Sequence, residues 1–528
     1  MKKNIIKITF LFLSLSFLFT ACFKDLDRLP FYEQTSVVIY EKPENYIHVL
    51  AKLYAGLAVS GQTGPAGNAD LAGIDEGFSQ YLRQFWQLQE LPTDEAVIAW
   101  NDGTIQELNQ MTWSSRNEFV TVLYNRIMYQ ITLCNEFIKQ SKESRLRDRG
   151  FGQGDIDKIL KYREEARFLR ALSMFHGLDL YGNIPNTSDE EKFPGSEFPT
   201  QFTKPDLFNF IEGELLAIES TILTRTESEY GRANQACVQT LLAKLYLNAE
   251  AMVSVNRYAE ALTFSEKVIS SGSYSLSNSY RNLFLADNHT SNEIIFPINF
   301  DGIKTKTFGG TTYLVHAPVG GPTWNAADSF GISAGGWFGL RTTGAFYDQF
   351  SDSIDSRYMF FKNGHTKEIA ALGTFTDGYG IAKWKNIKST GEKGSDPVNF
   401  ADTDFPLFRL ADVYLMYAEA SLRSGAGSPA LALNYVNALR ERAYGNSNNN
   451  LAELTLDNIL NERARELYWE AQRRTDLIRF GKFTGGAYLW PWKGGADLGT
   501  SVSDNFKVYP IPFNDLVANP NLKQNSGY

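Results

Sequence analysis

Glu462, Glu466 and Glu470 recur at a four-residue spacing, which on a helix puts three carboxylates on one face, where a glycosidase would keep an acid and its partner base or nucleophile. The same stretch interleaves Arg463, Arg465, Arg473 and Arg474, and cations that close commit carboxylates to ion pairs rather than to proton transfer. The five histidines, His48, His176, His289, His316 and His365, have no companion at metal-ligand spacing, and the zinc-protease, serine-hydrolase and phosphate-loop signatures are absent from the sequence. GAGSPA at 425–430 matches a loose dinucleotide fingerprint. That fingerprint needs a preceding strand, and here a helical pattern precedes it, so the segment reads as a turn between paired helices. Asp402 and Asp404 are too few for the roughly six to eight oxygens that calcium takes. The residues therefore point away from an enzyme, with no cofactor; calcium is possible but unsupported.

The elements that would carry these residues are mainly helical. Apolar residues at Leu160, Phe168, Leu169, Leu172, Phe175 and Leu178 form a stripe of helical period that stops at Gly182, with Pro185 beyond. Residues 236–249 and 258–269 form a pair with the small and aromatic spacing of tetratricopeptide units, and 410–422 with 429–443 repeat it, Ser428 and Pro429 standing as cap and first helical residue. Further helices are expected over 46–58, 117–140, 206–223 and 456–480. Residues 287–404 are different: rich in Gly, Thr, Asn and aromatics, without a sustained period, they read as a long loop-rich insertion with small strands of its own.

The chain has 528 residues, 43% apolar and 21% charged, with 9 Trp, 26 Tyr and 37 Phe. That composition describes a folded, water-facing protein rather than a membrane bundle or a disordered chain. The N-terminus is a signal peptide: Lys2, Lys3 and Lys7 precede an apolar stretch over 8–19, which as a helix would span about 18 Å and fall short of a ~30 Å hydrocarbon core. Removing those lysines takes the formal net charge from −9 to −12, the wrong sign for a nucleic-acid surface. Small residues Thr20 and Ala21 precede Cys22, an order that resembles the bacterial lipobox, in which the cysteine is acylated; 1–21 is then the signal peptide and 22–528 the mature domain. Asp25 and Asp27 resemble the surface-export signal of Bacteroidetes lipoproteins. Cys134 and Cys237 lie in helical patterns and read as separately buried thiols, one bridge between them remaining an alternative.

EEARFLRALSMFHGLDLYGNIP (164–185), FPLFRLADVYLMYAEA (405–420), ILNERARELYWEAQRRTDLIRFGKF (459–483) and YPIPFNDLVANPNLKQNSGY (509–528) resemble successive signatures of the SusD/RagB family. The resemblance implies a mostly α-helical fold of tetratricopeptide-like repeats. It also implies a lipoprotein on the outer face of a Bacteroidetes outer membrane that binds oligo- or polysaccharide and passes it to a SusC-like TonB-dependent transporter, without catalysis. Some members imply an alternative on the same scaffold, capture of a peptide or another non-glycan nutrient.

The arginines of those motifs, Arg167, Arg170, Arg463 and Arg474, sit within apolar stripes and read as scaffold, so ligand contacts must come from elsewhere. A neutral sugar presents hydroxyls around an apolar ring face, and its receptor needs aromatic planes flanked by carboxylate, amide and guanidinium groups. Two segments supply both. One holds Asp75, Arg83, Trp86, Trp100, Asn101 and Asp102, a region from which the family is similar in drawing glycan contacts. The other holds Tyr313, Trp324, Asn325, Trp337 and Arg341. Trp100 and Trp324 stand in polar, turn-prone surroundings and are the platform candidates. Trp86 reads as core, as do Trp113 and Trp469 in amphipathic patterns, and Trp337 lies in GGWFGLRTT, which is similar to recurring family scaffold. The candidate ligand-binding set is Asp75, Arg83, Trp100, Asn101, Tyr313, Trp324 and Trp337, with Cys22 as the lipidation site.

Overall fold

A computed structural model describes residues 36–65, 67, 69–72, 75, 77–188 and 197–528; the expected signal peptide and lipidation site Cys22 lie outside the described residues. The longer helices are α1 (Asn45–Ala58), α2 (Tyr81–Glu90), α3 (Glu118–Gln140), α4 (Gln153–Tyr181), α5 (Lys204–Ile218), α6 (Gln235–Leu247), α7 (Tyr258–Ser270), α8 (Gly310–His316), α9 (Leu410–Ser424), α10 (Pro429–Tyr444), α11 (Leu456–Leu467) and α12 (Arg473–Arg479). Sequential helices pack as antiparallel neighbours: α3 lies on α4, α4 on α5, α6 on α7, and α9 bridges α7 and α10. This is the tetratricopeptide-like stacking expected from the repeated small and aromatic residues. Among the described residues no helix is long and apolar enough to cross a membrane.

Local chemistry sets most helix ends. The Ser428 side chain accepts from the Leu431 N–H with Pro429 in the first turn, and Gly425 closes α9 in the left-handed region, so GAGSPA is the interhelix turn. The expected helix over 456–480 is instead two helices. Trp469 and Ala471 take φ of 59° and 60° between them, because the buried carboxylates of Glu95 and Glu90 accept the Trp469 and Gln472 N–H groups at 3.0 and 3.1 Å and draw them out of the helical ladder. Trp469 is core, as expected, but on this connection rather than on a helix face; its indole donates to Glu95 O.

Among the described residues six short strands pair antiparallel in twos. Strand β1 (Val97–Ile98) pairs with β3 (Leu340–Arg341), β2 (Ile294–Ile298) with β6 (Phe405–Arg409), and β4 (Phe360–Phe361) with β5 (Gly380–Ile381). The β2–β6 pair pins both ends of the loop-rich segment to the helical stack. The β1–β3 pair fastens the middle of that segment to the connection after α2, and this second fastening builds the site.

Glu462, Glu466 and Glu470 are completely buried in ion pairs, so they are scaffold, but mostly not with the neighbouring arginines. Arg465 alone of those four bonds to the trio, at Glu462. Arg463 bonds to Asp412 and Asp476, Arg473 to Asp94, and Arg474 to Asp179. The trio is neutralised by Arg357, Arg409, Arg440, Arg442 and Lys383, all distant in sequence. Burial pushes the Glu462 carboxyl up, yet Arg357, Arg465 and Arg440 hold it down to about 2. It is a fixed anion with no proton to exchange. Cys134 and Cys237 are free buried thiols whose pKa values burial pushes up to about 12.

Candidate functional site

Gln80 caps α2, its side-chain oxygen accepting from the Arg83 N–H at 2.6 Å, and the same oxygen accepts from the Gly310 N–H at 2.9 Å. One amide thereby ties the first turn of α2 to the first turn of α8. Gly310 takes φ +53° there, and a Cβ on it would run into the Phe300 ring, so the close approach requires glycine. The tie sets Arg83 over the ring of Tyr313, 4.5 Å from its centroid, and one helical turn later Gln87 donates to the Tyr313 hydroxyl at 3.2 Å. Arg83 Nη1 donates to the carbonyls of Gly77 and Phe308, while Nε has no acceptor among the described residues. Burial lowers the Arg83 pKa, opposed by Tyr313, Asp75 and Asp102; the guanidinium stays charged.

Trp100 leaves the end of β1. The ladder continues past the strand, Ala99 N–H donating to Gly339 O at 2.8 Å. The indole N–H of Trp100 then donates to Trp337 O at 2.9 Å across 237 residues of sequence. Gly339 makes this possible, since a Cβ there would fall 2.6 Å from the Trp100 ring. The two indoles lie 6.4 Å apart, centroid to centroid, with planes inclined at 41°. Behind Trp337 the ring of His316 stacks at 4.8 Å, its two nitrogens facing the carbonyl oxygens of Gly335 and Asn399 at 2.7 Å each. Burial lowers the His316 pKa against those two carbonyls. Trp337 is thus held from behind while its outer surface stays half-buried.

These groups open into a pocket of about 670 Å3 lined by Trp100, Trp337, Phe308, Arg83, Asp75 and Asp102, with Phe78, Phe119, Ile105 and Gly77 completing the wall. Aromatic planes, a guanidinium and two exposed carboxylates therefore converge, as an amphipathic ring with hydroxyl edges requires. Of the residues expected from sequence, Asp75, Arg83, Trp100 and Trp337 line it. Tyr313 is fully buried beneath Arg83 and edge-on to Trp100, so it supports the pocket from below. Asn101 is exposed beside Trp100 but outside the lining.

Trp324 is the clear correction. It is 1% exposed, stacked on Phe361 at 3.8 Å and packed on Phe330 and His365. Its polar neighbours Gly321 and Asn325 make an exposed turn at φ 76° and 47°, while the indole turns inward over Gly380, which has no side chain to block it. Phe308 is the principal lining residue that the sequence reading missed. It precedes Gly309 and Gly310, the same turn-prone setting that had drawn attention to Trp324. Asp402 and Asp404 are engaged in hydrogen bonds with the surrounding loops. Their oxygens accept from Gly302, Ser395, Phe300, Tyr230 and Asn299, and no cluster of three potential metal ligands occurs among the described residues.

The sequence profile of the SusD family matches residues 323–528. The chain is 36% identical to the starch-binding protein SusD of Bacteroides thetaiotaomicron, covering 96% of each, and 25% identical to the SusD-like protein P38 of Formosa agariphila, covering 70% of this chain and 74% of that one. Its fold is similar to that of the surface glycan-binding protein A from Bacteroides fluxus, with a TM-score of 0.69 at 21% identity over 92% of this chain and 100% of the other. It is similar too to the surface glycan-binding protein A from Bacteroides thetaiotaomicron in complex with laminarihexaose, with a TM-score of 0.68 at 21% identity over 91% and 99%.

Proposed function

This chain belongs to the SusD family, and from that membership together with the geometry of the pocket we propose that it is a cell-surface receptor for a starch-type glucan. It is a binding protein, not an enzyme. The observation that carries the reading is the convergence of the Trp100 and Trp337 faces with Arg83, Asp75 and Asp102 in one open pocket. Two sugar rings lie on the two indoles, and the 41° inclination between those indoles suits a chain that curves from one residue to the next, as an α-linked glucan does. Arg83 and the two aspartates take the hydroxyl edges, donors facing acceptors. The near end-to-end identity to a starch-binding relative supports the choice of glucan.

Cys22 anchors the mature chain in the outer membrane through its acyl groups, and the receptor delivers the captured glucan to a SusC-like TonB-dependent transporter. Native gels containing amylopectin test the ligand. The wild-type protein is expected to be retarded relative to a blank gel and Trp100→Ala to run as in the blank; equal mobility of the wild type in both gels overturns the reading. Cys22→Ala, expressed without the transporter, tests the anchor separately: the variant is expected in the soluble fraction and the wild type on the membrane pellet, and equal pelleting overturns the anchor.

A further inference from the structure

Seven non-glycine residues among those described have positive φ: Met111, Ser254, Asn325, Phe338, Trp469, Ala471 and Trp492. Phe338 alone of them is a large apolar residue that is also exposed, at φ 55° and 49% exposure. A bulky side chain in the left-handed region carries a steric cost, and an exposed ring returns little packing for it. The conformation is nonetheless firmly held, because Phe338 N–H donates to Val319 O at 3.0 Å and the residues on either side bond to His316 O and Ala317 O. The effect is to turn one aromatic ring outward immediately beyond Trp337.

That ring has a companion from another loop. Phe375 meets Phe338 edge to face at 5.3 Å, and both close onto Gly320, where a Cβ would lie 2.5 Å from each ring. The Phe375 loop is held by Arg341, completely buried, whose guanidinium donates to Asp377 O at 2.7 Å and Leu372 O at 2.8 Å rather than to a carboxylate. Keeping a guanidinium buried on carbonyls alone is costly, and what it fixes in place is this loop. The pair adjoins the pocket. Phe338 is one peptide from Gly339, against which the Trp100 indole rests, and Gly373 of the same loop approaches Ala99 O.

We propose that Phe338 and Phe375 form a second aromatic platform that continues the Trp100–Trp337 pocket and receives the next sugar rings of a long glucan chain. The proposal rests on the glucan-binding reading and adds chain-length selectivity to it. A short oligosaccharide is held by the two indoles alone; a longer one also covers the phenylalanine pair.

Calorimetric titration with maltotriose and with maltoheptaose tests it on the wild type, Phe375→Ala and Phe338→Asn. Asparagine tolerates the left-handed region, so Phe338→Asn removes the ring without a folding penalty and should melt at or above the wild-type temperature. Both variants are expected to bind maltotriose within about twofold of the wild type and maltoheptaose roughly three- to tenfold more weakly. Variants that bind the long chain normally, or lose both oligosaccharides equally, overturn the second platform while leaving the receptor reading intact. A wild-type protein that binds neither overturns the glucan reading and this extension with it.

Discussion

Arginines, carboxylates and aromatic rings build two regions of this molecule to opposite ends. Around α11, Arg357 bonds to Asp355 and Glu462 at 2.7 and 2.5 Å, and Arg409 bonds to Glu293, Glu466 and Glu470 at 2.9, 2.6 and 2.6 Å. Every one of these groups is at most 1% exposed. Around Trp100, by contrast, Arg83 is seated on a phenol and two backbone carbonyls, and Asp75 and Asp102 are exposed at the pocket rim. Saturated polar groups specify a shape and leave nothing for a ligand; groups with spare hydrogen-bonding capacity beside half-covered indoles are what a ligand completes. The region richest in motif is therefore scaffold, and the region poor in motif holds the candidate site.

Removing a member of the saturated lattice should have the largest effect. Glu466→Ala leaves Arg357, Arg409 and Arg442 short of a buried anion and should cost about 3–5 kcal/mol of stability, read by urea unfolding, with glucan affinity of the remaining folded protein unchanged. A loss below about 1 kcal/mol would place that lattice with ordinary surface pairs. Trp324→Ala belongs on the same side of the comparison. Its stacked, buried indole predicts about 3 kcal/mol or more of lost stability and normal binding, and a variant that melts like the wild type but no longer binds would move Trp324 to the site.

Trp100→Ala should show the converse. Losing one stacking plane is expected to weaken glucan binding by about 1–3 kcal/mol, while the melting temperature drops much less than for Trp324→Ala; Trp337→Ala should follow the same pattern. Equal loss of stability and binding would erase the distinction between the regions.

An effect visible only in the pH dependence of stability concerns Asp404, which accepts from the Phe300 N–H on the loop that carries that ring against α8. Burial pushes its pKa from 3.8 up to about 6, against hydrogen bonds from Phe300 N–H, Tyr230 and Asn299. With the folded value above the unfolded one, the native state holds the proton more tightly. Its contribution to stability is full below pH 3.8 and disappears as pH rises through about 6. Asp404→Asn should abolish that pH-dependent change, seen as a shallower fall in chemical-denaturation stability between pH 4 and 7. An unchanged slope would mean that Asp404 titrates normally.

Local pattern made the helical scaffold legible. The stripe from Leu160 to Leu178, the Ser428–Pro429 start and the Gly182 and Gly425 stops all act within one or two turns, and the helices form where those signals lie. The same pattern missed the break at Trp469, because the groups that draw the backbone out of its helix are Glu90 and Glu95, far away in the chain. Of the pocket lining, Asp75, Arg83 and Trp100 were legible from residue type and neighbourhood, whereas the neighbourhood of Trp337 reads as scaffold. Trp324 was misjudged on the same grounds, since polar neighbours reveal that a turn is exposed and say nothing of which way its side chain points.

The sequence by itself determined most of the elements and the chemical inventory: which segments wind into helices, which local caps end them, and that indoles, a guanidinium and carboxylates were available. Tertiary structure alone decided which of those groups meet. The Gln80 amide joins α2 to α8, and the β1–β3 ladder brings Trp100 to Trp337 across 237 residues. Hydrogen bonds of that range leave no periodicity or spacing to read, and the inward or outward turn of a tryptophan depends on whether a distant glycine, Gly380 for Trp324 or Gly339 for Trp100, leaves room for its ring.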